Sequence, residues 1–174
     1  MTKDMCVSIN SILKKKIRTA LVCLLMVLTT SNSMAQEKNS IRWLTFEQLD
    51  DSLSIKPKKI FIDFYADWCD YCKKMDQVAF REAAIVSELN NQFYAVKMNA
   101  ESKDSLYFGN RVYINQEVGK KRNPTHQMAL ILASRKNQPF SLPAIVILNE
   151  RFEVEKRFFE YLSPKKLIRI LKEN

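Results

Sequence analysis

The apolar positions of the chain change period several times, and each change marks an element. From Ile41 the sequence reads IRWLTFEQLDDSLSIKPKKIFIDFYA. Thr45, followed three residues later by Gln48, has the form of a capping box, in which each side chain satisfies a free backbone N–H at a helix start. It predicts a short helix over residues 46–53, and Pro57 breaks the pattern. Residues 59–65 instead form a continuous β-prone run of the kind buried on both faces in a parallel sheet. Asp63 sits inside that run and calls for an explanation.

After Tyr65, residues 69–78 read as a helix and residues 83–89 as a second helical piece. FYAVKM, residues 93–98, is another strand. This β-helix-β order implies a right-handed parallel crossover. Residues 100–123 read as irregular and polar with interspersed aromatics. Met128, Ile131 and Leu132 then give helical spacing to residues 125–135, with Asn123-Pro124 as its start. AIVIL, residues 144–148, and residues 152–159 across the Asn149-Glu150 turn carry a hairpin signal. Ser163-Pro164 supplies an N-cap with proline at the first helical position, and Leu167, Ile168 and Leu171 give the last helix its apolar stripe. The order is β-α-β-α-β, then α, β-β, α, with no internal repeat.

Composition changes this picture at the N-terminus. Of 174 residues, the first 35 pattern as a secretory leader: basic Lys14, Lys15, Lys16 and Arg18, an apolar run from Ala20 to Leu28, then polar residues ending in Ser33-Met34-Ala35. Small residues at 33 and 35 predict cleavage before Gln36. The apolar run falls short of the roughly 20 residues needed to span a bilayer, so no stable membrane span is expected after cleavage. An uncleaved anchor is the competing reading. Cys23 does not indicate lipidation, because Leu21-Val22 before it lacks the small residue expected there. The predicted organisation is thus a leader over residues 1–35 and one domain over residues 36–174.

Without the leader, the net charge falls from +9 to about +5. A moderate surplus with no dense basic stripe does not indicate nucleic-acid binding. Two glycines in the whole chain exclude a Gly-rich phosphate loop. Cys6 and Cys23 depart with the leader, so the exported chain keeps only Cys69 and Cys72.

Those two cysteines stand at a predicted helix start, where free N–H groups and the helix dipole favour negative charge. A thiol attacks a disulfide only as the thiolate, so Cys69 is the expected nucleophile. The two-residue spacer brings Cys72 back beside it, able to resolve a mixed disulfide by attacking Cys69. A structural disulfide competes with this reading, although so small a loop restricts the unfolded chain little. A structural zinc site normally takes four ligands, and the exported chain offers two cysteines and a distant His126, which reads as a surface residue near a helix start.

FIDFYADWCDYCK, followed by AVKMNA and later by SLPAIVIL, resembles the thioredoxin family. The long segment before the proline is more like the exported thioredoxin-like domains. The resemblance covers about residues 41–172. It implies an α/β thioredoxin fold: a central mixed β-sheet flanked by helices, with an insertion before a cis-proline. Trp68 matches the tryptophan flanking the active site. Asp63 matches the buried acid beneath the cysteines, which is thought to help deprotonate the resolving thiol, and burial would raise its pKa in keeping with that task. Lys97 matches a lysine near this acid. Pro143 matches the proline after a cis bond, which turns the backbone of Leu142 toward a substrate peptide.

Two departures from the family pattern stand out. The spacer is Asp70-Tyr71, counted here with Trp68, Leu142 and Pro143 among the substrate-contacting residues. A carboxylate beside Cys69 opposes thiolate formation while Lys73 and Lys74 favour it, and the balance leans toward a reductase or isomerase. The second departure is the 44 positions from Asn99 to Pro143. This insertion either binds a partner through Tyr107, Phe108 and Tyr113 or packs those rings on the body.

The expectation is therefore a periplasmic or otherwise exported thiol-disulfide oxidoreductase, monomeric, acting on protein thiols and disulfides. It needs no bound cofactor beyond the Cys69-Cys72 couple and takes electrons from a partner's dithiol. A reading from another class keeps the fold as a binding module whose cysteines hold a thiophilic metal or dock a partner.

Overall fold

The computed structural model describes residues 40–173, and the expected leader and its cleavage point lie outside them. The capping box forms as expected: Thr45 and Gln48 exchange side-chain to backbone hydrogen bonds at 3.3 and 3.0 Å. It opens α1 (Phe46–Ile55) just after a short strand β1 (Trp43–Leu44). β2 (Lys59–Tyr65) leads into α2 (Asp70–Gln77), a 3₁₀ turn (Ala79–Arg81), α3 (Ala83–Gln92) and β3 (Phe93–Asn99). A small hairpin, β4 (Leu106–Phe108) and β5 (Arg111–Tyr113), precedes α4 (Gln127–Ala133), β6 (Ala144–Leu148), β7 (Val154–Phe158) and α5 (Pro164–Lys172).

Among the described residues the main sheet has five strands in the order β1-β3-β2-β6-β7. β2 lies at its centre, parallel to β3 and antiparallel to β6. The mixed central sheet flanked by helices is therefore present. β2 alternates between two cores because successive side chains point to opposite faces. Phe61 joins Met75, Leu89, Ile145 and Leu167 beneath α2, α3 and α5. Ile60, Ile62 and Phe64 join Phe46, Leu49, Met128 and Leu132 beneath α1 and α4.

The insertion departs from its expected irregularity. Residues 106–113 form a hairpin whose Gly109 and Asn110 both adopt left-handed backbone, φ +57° and +60°. Glycine and asparagine tolerate that conformation, and two such residues in succession match the right-handed twist of the flanking strands. The hairpin is tied to α1, with Tyr107 N–H donating to Glu47 and Gly109 N–H to Asp50, both at 3.0 Å. Phe108 is buried against Phe46 and Phe152, whereas Tyr107 stays exposed and Tyr113 half-buried.

His126 also departs from expectation. It is not a surface residue but is fully buried, and its Nδ1 caps α4 by accepting the Met128 N–H at 3.1 Å. Its backbone N–H is drawn inward to the Ala100 carbonyl at 2.8 Å. Burial holds its pKa below the ordinary histidine value. No helix among the described residues is long and apolar enough to cross a membrane.

The two-core architecture makes a direct stability prediction. Leu89 on α3 has no exposed surface, so Leu89→Ala is expected to cost about 2–5 kcal/mol through lost burial and a residual cavity. Ile131 on α4 is well exposed, and Ile131→Ala should stay within about 0.5 kcal/mol. Urea denaturation of the two variants measures the contrast, and equal losses would contradict it.

Candidate functional site

β2 ends at Tyr65, and the chain turns through Ala66, Asp67 and Trp68 before α2 begins. Cys69 is the N-cap residue of that helix, with extended backbone, and its sulfur accepts the Cys72 N–H at 3.2 Å. A cysteine at this position takes up an N–H that would otherwise lack an intrahelical partner. Cys69 and Cys72 are joined by a disulfide, with their Cα atoms 5.3 Å apart. Both residues are nearly buried.

The structure brings Asp63 and Lys97 together directly below this helix. They are register partners on β2 and β3, and Lys97 Nζ lies 3.6 Å from Asp63 Oδ2. Asp63 is 1% exposed in the middle of the central strand, and its Oδ1 has no hydrogen-bond partner. It is thus no edge-strand surface acid. Lys97 also pairs with Asp76, one turn beyond Cys72 on α2, and its ammonium stands over the rings of Trp43, Tyr65 and Phe80 at 5.0–5.7 Å. Asp76 escaped the sequence reading. Its signal was the four-residue step from Cys72, which places both on one side of the helix.

This arrangement controls the charge of Asp63. Burial pushes its pKa up from 3.8, Lys97 pulls it down, and Asp76 pushes it up again, leaving it at about 7. One lysine shared between two acids, with one of them desolvated, cannot hold both fully ionised.

The remaining predicted residues lie at the same end of the sheet as the cysteines. Pro143 directly precedes β6, whose Ala144 pairs with Phe64 at the far end of β2, and the Leu142-Pro143 peptide bond is cis. Pro143 is buried and Leu142 half-buried. Trp68 is 54% exposed and donates from Nε1 to Glu101 at 2.9 Å, which ties it to the start of the insertion. Asp70 is exposed. Tyr71 is 60% exposed, with its ring 6.2 Å from that of Tyr161, over which the Lys74 ammonium also sits. Tyr161 is a second contributor that spacing did not reveal, because it enters from the loop before α5. Among the described residues no group of three or more His, Cys, Asp or Glu is arranged to hold a metal ion.

A cysteine pair at a helix start, a buried acid on the strand that leads to it and a cis-proline at the same end of the sheet define a thioredoxin-fold protein of the dithiol-disulfide class. A family model for the thioredoxin-like domain matches residues 47–174, and the chain belongs to that family. The thiol:disulfide interchange protein DsbD of Campylobacter jejuni is 27% identical over 103 residues, 52% of this chain and 18% of that protein. Thioredoxin 1 of Chlorobaculum tepidum is 35% identical over 57 residues, 33% of this chain and 54% of that protein. The chain therefore spans about a fifth to about half the length of these relatives. A solved DsbH oxidoreductase matches with a TM-score of 0.52 at 15% identity, covering 77% of this chain and 83% of that one, which shows the shared fold. The chain is thus a member of a thiol-disulfide oxidoreductase-like family that carries a C-x-x-C pair.

The charge state of Asp63 makes stability depend on pH. Well below pH 3.8 both folded and unfolded states hold the proton, and Asp63 imposes no charge penalty. As pH rises past 3.8 the unfolded state ionises while the folded state keeps its proton, so stability falls until the folded carboxyl itself ionises near 7, by on the order of 4 kcal/mol in full. Asp63→Asn should leave stability near pH 3 little changed and raise it by a few kcal/mol at pH 8.5. Urea midpoints across that range measure this, and a variant with no advantage at pH 8.5 would contradict a desolvated carboxyl.

Proposed function

We propose that the protein is an exported thiol-disulfide oxidoreductase that reduces or isomerises protein disulfides outside the cytoplasm. The observation that carries this reading is the placement of Cys69 and Cys72 at the N-terminus of α2, the helix whose Asp76 shares Lys97 with the buried Asp63. In the reduced protein, the Cys69 thiolate attacks one sulfur of a substrate disulfide. A mixed disulfide forms and the other substrate sulfur leaves as a thiolate. Cys72 then loses its proton and attacks Cys69, which forms the Cys69-Cys72 disulfide and releases the second substrate thiolate. Two electrons pass to the substrate, and a dithiol protein returns them to the couple.

Asp63 accepts the Cys72 proton. A carboxyl with a pKa near 7 can take up and return a proton at neutral pH, where an ordinary aspartate could not. Lys97 positions it, and half-exposed Asp76 links Lys97 to the solvent side. The exposed rings of Trp68 and Tyr71 give the substrate apolar surface beside the cysteines, and the backbone of Leu142 supplies strand-like hydrogen bonds to its peptide. The leader pattern of residues 1–35 supports action outside the cytoplasm, and the likeness to a thiol:disulfide interchange protein supports the exchange chemistry.

The mechanism assigns different outcomes to the two cysteines. Cys69→Ser should lose disulfide reductase turnover. Cys72→Ser should also fail to turn over but accumulate a mixed disulfide that reducing agent releases, as followed on non-reducing gels. Turnover by Cys69→Ser at the wild-type rate would sink the reading. N-terminal sequencing of protein recovered after expression should begin at Gln36, and an intact leader would overturn the cleavage assignment.

A further inference from the structure

The end of the sheet opposite the cysteines holds a second feature. There, at the starts of β2 and β3, lies a cavity of about 230 Å3, with Arg42, Leu44, Ser52, Lys58, Asn90 and Tyr94 in its walls. Arg42 donates through one Nη to the Asn90 carbonyl at 3.0 Å. Lys58 donates to the carbonyls of Asn90 and Phe93 at 3.3 and 2.9 Å, and its ammonium stands 5.2 Å from the centre of the Tyr94 ring.

These bonds fix the two cations in place without neutralising them. Among the described residues no carboxylate pairs with Arg42, Lys56 or Lys58. Exposed Lys56 is close enough for its charge, like that of Arg42, to act on Lys58. Burial, then Arg42, then Lys56 hold the Lys58 pKa below the ordinary lysine value. Capping the end of α3 accounts for one bond from each cation to Asn90, since cations near a helix C-terminus are stabilising. It does not account for a third cation, nor for a cavity with apolar walls beside them. Arg42 keeps Nε and its other Nη available, and Lys58 keeps one N–H.

We propose that this cavity binds a phosphate group, carried by a small phosphorylated molecule or by a lipid headgroup. The planar guanidinium fork of Arg42 matches paired phosphate oxygens, and Lys58 supplies a second, fixed positive charge. A phosphate monoester answers a cluster of three cations better than a single-charged carboxylate does. Leu44 and the Tyr94 ring form the apolar side along which the organic part lies, the usual makeup of a small-ligand site.

The test uses the full chain in two arms at constant ionic strength. In the first, calorimetry follows titration with inorganic phosphate and glycerol 3-phosphate. In the second, co-sedimentation follows vesicles of phosphatidylcholine with and without phosphatidic acid, whose headgroup is a phosphate monoester. Saturable binding is expected in at least one arm, weakened tenfold or more by Arg42→Gln and by Lys58→Gln and retained by Lys58→Arg. Lys56→Glu, an exposed change that reverses a charge acting on Lys58, gives the same loss should either of the first two variants fail to fold. Lys136→Gln, which removes one exposed charge elsewhere, is expected to leave binding unchanged. Binding in the first arm alone identifies a soluble phosphate ligand, and binding in the second alone identifies a headgroup. Absence of saturable binding in both arms overturns the site, as does equal weakening by Lys136→Gln.

Discussion

The hydrogen-bonded pairing of β2 with a strand on each side is the constraint from which the rest of the molecule follows. Parallel pairing with β3 sets Asp63 beside Lys97, and antiparallel pairing with β6 sets Ala144 beside Phe64. The first pairing builds the charged pair under the helix. The second brings Pro143 to the end of β2 where the cysteine helix begins. A slip of one residue in either register would turn Asp63 toward the opposite core and move the proline from the cysteines. Register is protected because every side chain from Ile60 to Phe64 is buried, on one face or the other.

Placing an acid in that strand opposes folding, and the surroundings show how the cost is limited. Burial is the largest influence on Asp63, and Lys97 offsets only part of it. The charge of Asp76, which also binds Lys97, pushes the same way as burial, and Asp63 is left with a pKa of about 7. The aromatic rings around the ammonium of Lys97 add attraction that requires no further carboxylate. A group left between two charge states is poor for stability and suited to proton transfer. The conflict between local stability and a chemical task is itself the mark expected of a functional site.

How much of this the sequence revealed depended on whether the signal was local. The capping box at Thr45, the β2 run and the Ser163-Pro164 start were legible because each rests on neighbours within a few positions. The Gly109-Asn110 hairpin was equally local but was masked by the polar residues around it, which suggested a structureless excursion. His126 was misplaced for a different reason. A histidine beside a helix start reads as solvated, and only the folding of the insertion back onto Ala100 encloses it. Asp63 and Lys97 were found through the family resemblance, whereas Asp76 and Tyr161 depend on which helix crosses which strand. The four-residue step from Cys72 sets the helix side that Asp76 shares, but no spacing rule within one segment says which strand that side meets.

The direction of β2 also separates the two ends of the molecule electrically. The strand has seven residues, so the cysteine end and the basic cavity lie roughly 20 Å apart at about 3.3 Å per residue. That exceeds twice the Debye length of about 8 Å at physiological salt. The charges that act on Asp63 are those of Lys97 and Asp76, and Lys58 is not among them. An anion in the cavity would therefore leave the proton equilibrium under the cysteines nearly untouched. Its consequence would be geometric: a molecule held at the basic end presents Trp68, Tyr71 and the cysteine pair outward, on the side away from whatever holds it.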